Sequence, residues 1–264
     1  MHRLYTKNYK EHTVIKLIFM LASKDLPNEM PAFERWYLRY HACEVLSKDQ
    51  PWIARFVGYR PLPVIPEALE YGHYNMRVIE VWFRNMEDYF GGTSMFHFTW
   101  KGGWMKNPIE WDKYAIPRVS TCVPVPAQNV FLAGKYSAEE KMMLRWYTFT
   151  KYPEGVSVEE GDDWFLNVHS KEVLQQPGLI GYFSAKAVQF PGRSAPTWWR
   201  QSELVYEDFN GWKKSVVDHP PKYTKPRWAK YDKYPFLEPY VDFTSTFLAE
   251  RPETDYMKEG RAFP

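Results

Sequence analysis

Two histidines occupy matched places in this chain and carry its clearest chemical signal. His41 lies in Trp36-Tyr37-Leu38-Arg39-Tyr40-His41-Ala42-Cys43-Glu44-Val45-Leu46. His169 lies in Trp164-Phe165-Leu166-Asn167-Val168-His169-Ser170-Lys171-Glu172-Val173-Leu174, at a constant offset of 128 residues. Trp, Leu, His, Glu, Val and Leu coincide between the copies. On a helix, Phe33, Tyr37, His41 and Glu44 fall on one stripe by three-and-four spacing, and Phe165, His169 and Glu172 repeat it. Imidazole is the side chain best suited to moving a proton near neutral pH, and an aromatic wall favours its neutral, basic form. His41 and His169 are therefore candidate general acid/base groups. Tyr40 is a candidate catalytic phenol beside the first; its counterpart is Val168, so the halves differ chemically. Glu44 and Glu172, one turn on, are placed to orient the imidazoles, although capping or solvation is the commoner fate of such carboxylates. A histidine on a half-apolar helix face serves as often in a purely structural role, and both readings remain open.

Tyr37, Tyr59 and Tyr182 are candidate donors to an enolate or phenolate oxygen, and Phe165 is a candidate wall. His73, flanked by Tyr71 and Tyr74, joins them as a candidate substrate contact. With His97 it offers no metal-ligand spacing, so no metal site is expected. Gly-x-Gly-x-x-Gly, the Walker lysine loop and Gly-x-Ser-x-Gly are all missing, which disfavours nucleotide cofactors and serine hydrolysis. No cofactor is expected.

The elements that would hold these residues repeat as well. Val14 to Ala22 and Met142 to Thr150 read as strands before each histidine segment, and Pro51 to Tyr59 and Pro177 to Ala185 as strands after it. Met76 to Phe83 and Ser202 to Glu207 read as third strands. Helical stretches follow at Asn85 to Phe90 and Phe209 to Val217. Val130 to Ala133 and Thr246 to Ala249 echo each other as fourth strands. The order is β-α-β-β-α-β twice, an α+β fold of two tandem ferredoxin-like units, expected to pack sheet to sheet as a pseudo-dimeric barrel with a pocket between the sheets. The division expected is an arm over residues 1–12, units over 13–135 and 136–250, and a tail over 251–264. Trp-rich insertions near 91–117 and 190–200, and an aromatic run from Trp212 to Phe236, are expected to fold down as lids or pads.

The 264 residues are 45% hydrophobic and 18% aromatic, enough for a large packed core and against disorder. Thirty-four basic against 32 acidic residues leave a net charge of +2 without a basic run, so nucleic acid is not an expected partner. Two cysteines, Cys43 and Cys122, suggest neither zinc nor a disulfide framework. The apolar stretch at Val14 to Ala22 is too short to span a bilayer and lacks a cleavage pattern, so a cytoplasmic protein without membrane contact is expected.

Val14 to Leu21 followed by Phe33 to Ala42 resembles the opening of EthD-like proteins, of the dimeric α+β barrel superfamily. The resemblance covers residues 13 to about 90 well and 142 to 250 more loosely. Cys43 replaces the Pro that commonly follows the family's histidine, and the second copy reads His169-Ser170-Lys171. Relatives so implied include cofactor-free decarboxylases, dehydratases, cyclases and isomerases, along with monooxygenases and haem-binding members. The expected function is a cofactor-independent lyase or isomerase acting on a bulky aromatic or polyketide-like carbonyl or phenolic compound. A cofactor-free or haem-dependent monooxygenase and a non-catalytic carrier of an aromatic ligand are the rivals. A homodimer is compatible with the exposed aromatic insertions.

Overall fold

A computed structural model of the chain describes residues 15–21, 37, 42, 51–92, 123–126, 130–134, 143–188, 198–249 and 253–255. They form two antiparallel five-stranded sheets. The first contains β1 (Ile15–Leu21), β2 (Ile53–Tyr59), β3 (Arg77–Phe83), β4 (Val123–Pro126) and β10 (Thr254–Asp255), in the order β10-β2-β3-β1-β4. The second contains β5 (Val130–Gly134), β6 (Leu144–Thr150), β7 (Leu179–Lys186), β8 (Arg200–Tyr206) and β9 (Phe243–Ala249), in the order β5-β7-β8-β6-β9. Without the edge strands β10 and β5, both sheets have the fourth-first-third-second order of a ferredoxin-like unit.

Duplication shows in local irregularities as well as in order. The register between β2 and β3 shifts at Ile53/Arg55, and that between β7 and β8 shifts at the matching Leu179/Gly181. Tyr37 is π-helical, as is its counterpart Phe165.

Two strands depart from the sequence expectation. Val130 to Ala133 does not close the first unit; it pairs with β7 at the edge of the second sheet. The fourth strand of the first sheet is β4, whose Val-Pro-Val-Pro sequence hides it. Proline lacks an N–H and is tolerated only where one side of the strand makes no ladder, which is the edge position β4 holds. Likewise β10 arises from the tail and pairs Thr254 with Gly58 and Asp255 with Val57. Each unit's fourth strand is thus followed by a short strand belonging to the other sheet.

Described residues cluster into two units. The first takes the segments up to Arg60, from Asn75 to Gln128 and from Pro252; the second takes Pro61–Tyr74 and Asn129–Arg251. Residues 61–74 are therefore a strap from the first repeat that packs with the second unit.

In the second unit, α1 (Val158–Trp164) runs without a break through a π-helical turn, Phe165–His169, into α2 (Ser170–Val173). Ser157 caps α1, its hydroxyl accepting from the Glu160 N–H at 3.1 Å. Asp208 does the same for α3 (Phe209–Lys213), accepting from the Gly211 N–H at 2.8 Å. Asn85 accepts from the Asp88 N–H at the head of the helical residues 86–92 of the first unit. The second unit's own helices cover one face of the second sheet, where Leu144, Trp146, Leu204, Tyr206, Phe243 and Phe247 meet Trp164, Phe165, Trp212 and Val216.

Candidate functional site

The π turn sets the position of His169. A backbone bond from the Ser170 N–H to the Phe165 carbonyl, with the Ser170 hydroxyl on the same oxygen at 2.7 Å, widens the helix by one residue. The imidazole then lies in the layer between helix and sheet, with ring centroids 4.8 Å from Trp164, 5.0 Å from Phe165 and 5.7 Å from Tyr234, the last stacked at 11°. It is buried and hydrogen-bonded to no described residue. Burial, reinforced by the Arg200 charge, pushes its pKa down to about 3, so it is neutral throughout the physiological range. A base of that strength is poorly matched to proton abstraction near pH 7.

Glu172 does not orient this imidazole. Its carboxylate accepts from the Thr224 N–H at 2.8 Å and hydroxyl at 2.5 Å, pinning the loop that follows α3. That loop belongs to the aromatic run from Trp212 to Phe236, which does fold down: Trp228 meets Trp164 edge-on at 5.3 Å, and Tyr223 stacks on Tyr234 at 3.9 Å.

Further phenols are buried in the same unit, Tyr223 reaching the histidine's neighbour Tyr234. Tyr206 donates to Gln176 Oε1 at 2.6 Å, and Gln176 Nε2 donates to the Tyr223 hydroxyl at 2.8 Å. Tyr182, from the helix-facing side of β7, lies among Ser170, Ser202 and Arg200, and burial raises its pKa against the pull of those groups. Burial likewise raises Tyr206, Tyr223 and Tyr234. All are proton donors at neutral pH, suited to hydrogen-bonding an oxygen and unsuited to acting as bases.

One charged group closes this cluster. Arg200 lies 4.6 Å above the Phe165 ring and donates to Asp162 at 2.8 Å and to the Ser184 hydroxyl at 3.2 Å. Asp162 also takes Lys186 and the Tyr152 hydroxyl, both at 2.7 Å. Burial opposes ionisation of this carboxyl, yet the three donors hold it below the usual carboxylate range.

Of the sequence-derived candidates, Phe165, His169 and Tyr182 are brought together here. His41 and Tyr40 lie outside the described residues, as do His97 and Glu44. Tyr37 is buried in the first unit with the Arg77 guanidinium 4.8 Å from its ring. Tyr59 is on β2, on the sheet face that carries Arg55, Lys16 and Glu80, opposite the face that carries Arg77. His73 is on the strap, bridged to Ser245 with its ring 4.5 Å from Phe247; burial pushes its pKa down to about 4.

Several residues of note escaped sequence reasoning. Arg77 and Arg200 open the third strand of each repeat and each covers the matching helical ring; their shared position was the available signal. A second repeated pair stands on the sheet face opposite the helices: Lys16 to Glu80 at 3.4 Å and Arg145 to Glu203 at 2.7 Å. Among the described residues no group of three or more His, Cys, Asp or Glu side chains could hold a metal ion, and no helix is long and apolar enough to cross a membrane.

Comparison with known proteins adds a family match over part of the chain and a likeness of fold. Residues 14–109 match the model of the chalcone isomerase N-terminal domain, and the family returned is not the EthD-like one. No curated protein matches the chain. Among solved structures, an anthrone oxidase-like protein is similar at TM-score 0.50 and 10% identity, covering 91% of this chain and 92% of its own. A chlorite dismutase from Candidatus Nitrospira defluvii in complex with imidazole is similar at TM-score 0.43 and 9% identity, covering 92% and 94%. At such identity the likeness is one of fold alone.

Proposed function

We propose that this chain is a cofactor-independent isomerase of a bulky aromatic carbonyl compound bearing a phenol. The observation that carries this reading is the match of residues 14–109 to a domain named for chalcone isomerase, a stretch that includes Tyr37, Tyr40, His41, Tyr59 and His73. A chalcone-type substrate isomerises by ring closure. A base removes the phenol proton, and the oxygen adds to the β-carbon of the unsaturated ketone. The displaced electron pair reaches the carbonyl oxygen as an enolate, and the α-carbon then takes back a proton. Nothing is gained or lost, so one acid/base group and one donor to the enolate oxygen suffice. A lyase step on a similar carbonyl would use the same groups.

His41 is the acid/base group of this proposal, because its repeat partner His169 is enclosed by three rings and held far below neutrality. Tyr40, absent from the second copy, is the proposed donor. Phe165, Tyr182 and His169 belong to the packed helix–sheet layer of the second unit and are assigned no step.

Following absorbance of 2′-hydroxychalcone with wild type, His41→Ala and His169→Ala tests this. The expected result is turnover reduced by about 100-fold or more in His41→Ala and by less than about tenfold in His169→Ala. Turnover indifferent to His41→Ala overturns the assignment, and no turnover of any chalcone overturns the reaction. Oxygen consumption matching product, or a haem band in the purified protein, would move the chain to the oxygenases.

A further inference from the structure

The strap over residues 61–74 is tied down at both ends and inserts one phenol between. At one end the Leu62 N–H donates to the Phe247 carbonyl at 2.8 Å. At the other, Ser245 accepts from the Tyr74 N–H and donates its own N–H to the Gly72 carbonyl, both at 2.9 Å. Between them, the 3-10 helix Pro66–Tyr71 ends on Tyr71, whose ring enters a box of indoles and phenols. It stands edge-on to Trp146 at 5.6 Å and to Trp212 at 5.8 Å, and tilted to Tyr234 at 6.2 Å.

Two features of this box are those of a ligand site. Trp146 and Trp212 are almost wholly buried, and neither indole N–H has an acceptor. Buried donors without partners are costly, and a carbonyl or phenolic oxygen in the box would relieve that cost. The present occupant is itself a phenol, half-buried and held at its hydroxyl by one long 3.4 Å bond to the Val216 carbonyl. Outside the box, the middle of the strap is fastened by Ala68, buried in the core, by the Ser245 hydroxyl donating to the Tyr71 carbonyl at 2.9 Å, and by surface contacts: Lys213 to Glu67 at 2.7 Å, Lys233 to Glu70 at 3.3 Å, and the Tyr240 hydroxyl to the Leu69 carbonyl at 3.1 Å. Exposed ion pairs of this kind are weak fastenings.

We infer that the Trp146–Trp212 box is a binding site for the ring of a phenolic ligand carrying a second acceptor oxygen, and that residues 63–71 are its gate, with Tyr71 as placeholder. Ligand and Tyr71 compete for the same space, so binding lifts the middle of the strap while its ends stay paired to β9. This site lies in the second unit and does not rest on the isomerase reading, since it is read by binding without turnover.

Calorimetry and hydrogen exchange on the full chain with 4-hydroxyacetophenone provide the test. If the open strap is populated at about 1–10%, Tyr71→Ala binds the probe about 10- to 100-fold more tightly than wild type. Tyr71→Phe keeps the ring and stays close to wild type. Lys213→Ala combined with Lys233→Ala loosens the gate without touching the box, and tightens binding by about two- to fivefold. Probe binding to wild type speeds amide exchange in 63–71 and leaves β9 protected. Unchanged affinity in the double lysine variant, or strap exchange that does not rise with probe bound, overturns the proposal. The lysine variant and the exchange reading also decide the matter if Tyr71→Ala fails to fold.

Discussion

The guanidinium of Arg77 lies 4.8 Å from the ring of Tyr37, and in the second repeat Arg200 stands in the same relation to Phe165 at 4.6 Å. In the second unit the first residue of the third strand covers the first residue of the π-helical turn that leads to His169, and in the first unit Arg77 covers the matching Tyr37. A cation over a buried ring is worth more than at the surface, because desolvation strengthens the attraction to the ring face. In the second unit this contact fixes the turn, and so His169, to its sheet.

Removing Arg200 therefore costs more than one contact. Arg200→Met leaves Asp162 with Lys186 and Tyr152 as its remaining partners and strips the Phe165 face. Urea unfolding is expected to report a loss of about 2–4 kcal/mol. A loss below about 0.5 kcal/mol would show that the cation–ring contact and the Asp162 bonds contribute nothing net.

Acid should weaken the second unit well above the carboxylate range. His169 and His73 are held down to about 3 and about 4 in the folded chain, both chiefly by burial. The unfolded chain therefore binds more protons between about pH 4 and 6.5, and stability falls as pH is lowered through that window. Each histidine contributes up to about 1.4 kcal/mol per pH unit. Unfolding free energies at pH 7, 6, 5 and 4.5 check this: His73→Leu and His169→Leu should each flatten the slope, and unchanged slopes in both would refute the burial argument.

The pair Arg145–Glu203 calls for a double-mutant cycle. Glu203→Leu removes the carboxylate that the Arg145 guanidinium bonds at 2.7 Å beside Tyr147, and is expected to cost about 3–5 kcal/mol. Adding Arg145→Met should recover most of that, since two apolar side chains of similar volume avoid the desolvation cost altogether. Additive losses would mean that each partner is held by other contacts.

Two glycines separate strain from clash. Gly72 has φ +57°, and a Cβ there would lie 2.4 Å from the Phe243 carbonyl oxygen; Gly155 has φ +88° with nothing within 4 Å. Gly155→Ala is expected to cost about 1–2 kcal/mol from backbone strain alone. Gly72→Ala must also push the strap off β9 and should cost at least about 3 kcal/mol. Thermal melts of the two variants give the comparison, and equal shifts would show that the strap yields easily at that end.

The repeat was legible in the chain because it is written in side-chain types at fixed spacing: Trp164 to Leu174 over Trp36 to Leu46, each followed by alternating apolar strands. Periodicity dictates which residues share a face, so β1, β2, β3, β6, β7, β8 and β9 could be placed and the ferredoxin-like order deduced. What it could not dictate was pairing between segments distant in sequence. Val130 to Gly134 is a good strand anywhere; only the free edge of β7 decided that it joins the second sheet. Val123 to Pro126 looks like a poor strand everywhere, yet an edge beside β1 accepts it. The same holds for chemistry. Spacing brought Phe165 and His169 together on one helix, whereas the stacking of Tyr234 on His169, the reach of Arg200 across to Phe165 and the insertion of Tyr71 between Trp146 and Trp212 depend on burial among elements that only packing makes neighbours. Protonation follows from that burial: a histidine that spacing alone would leave near neutrality is pushed to about 3 once three rings exclude water from it.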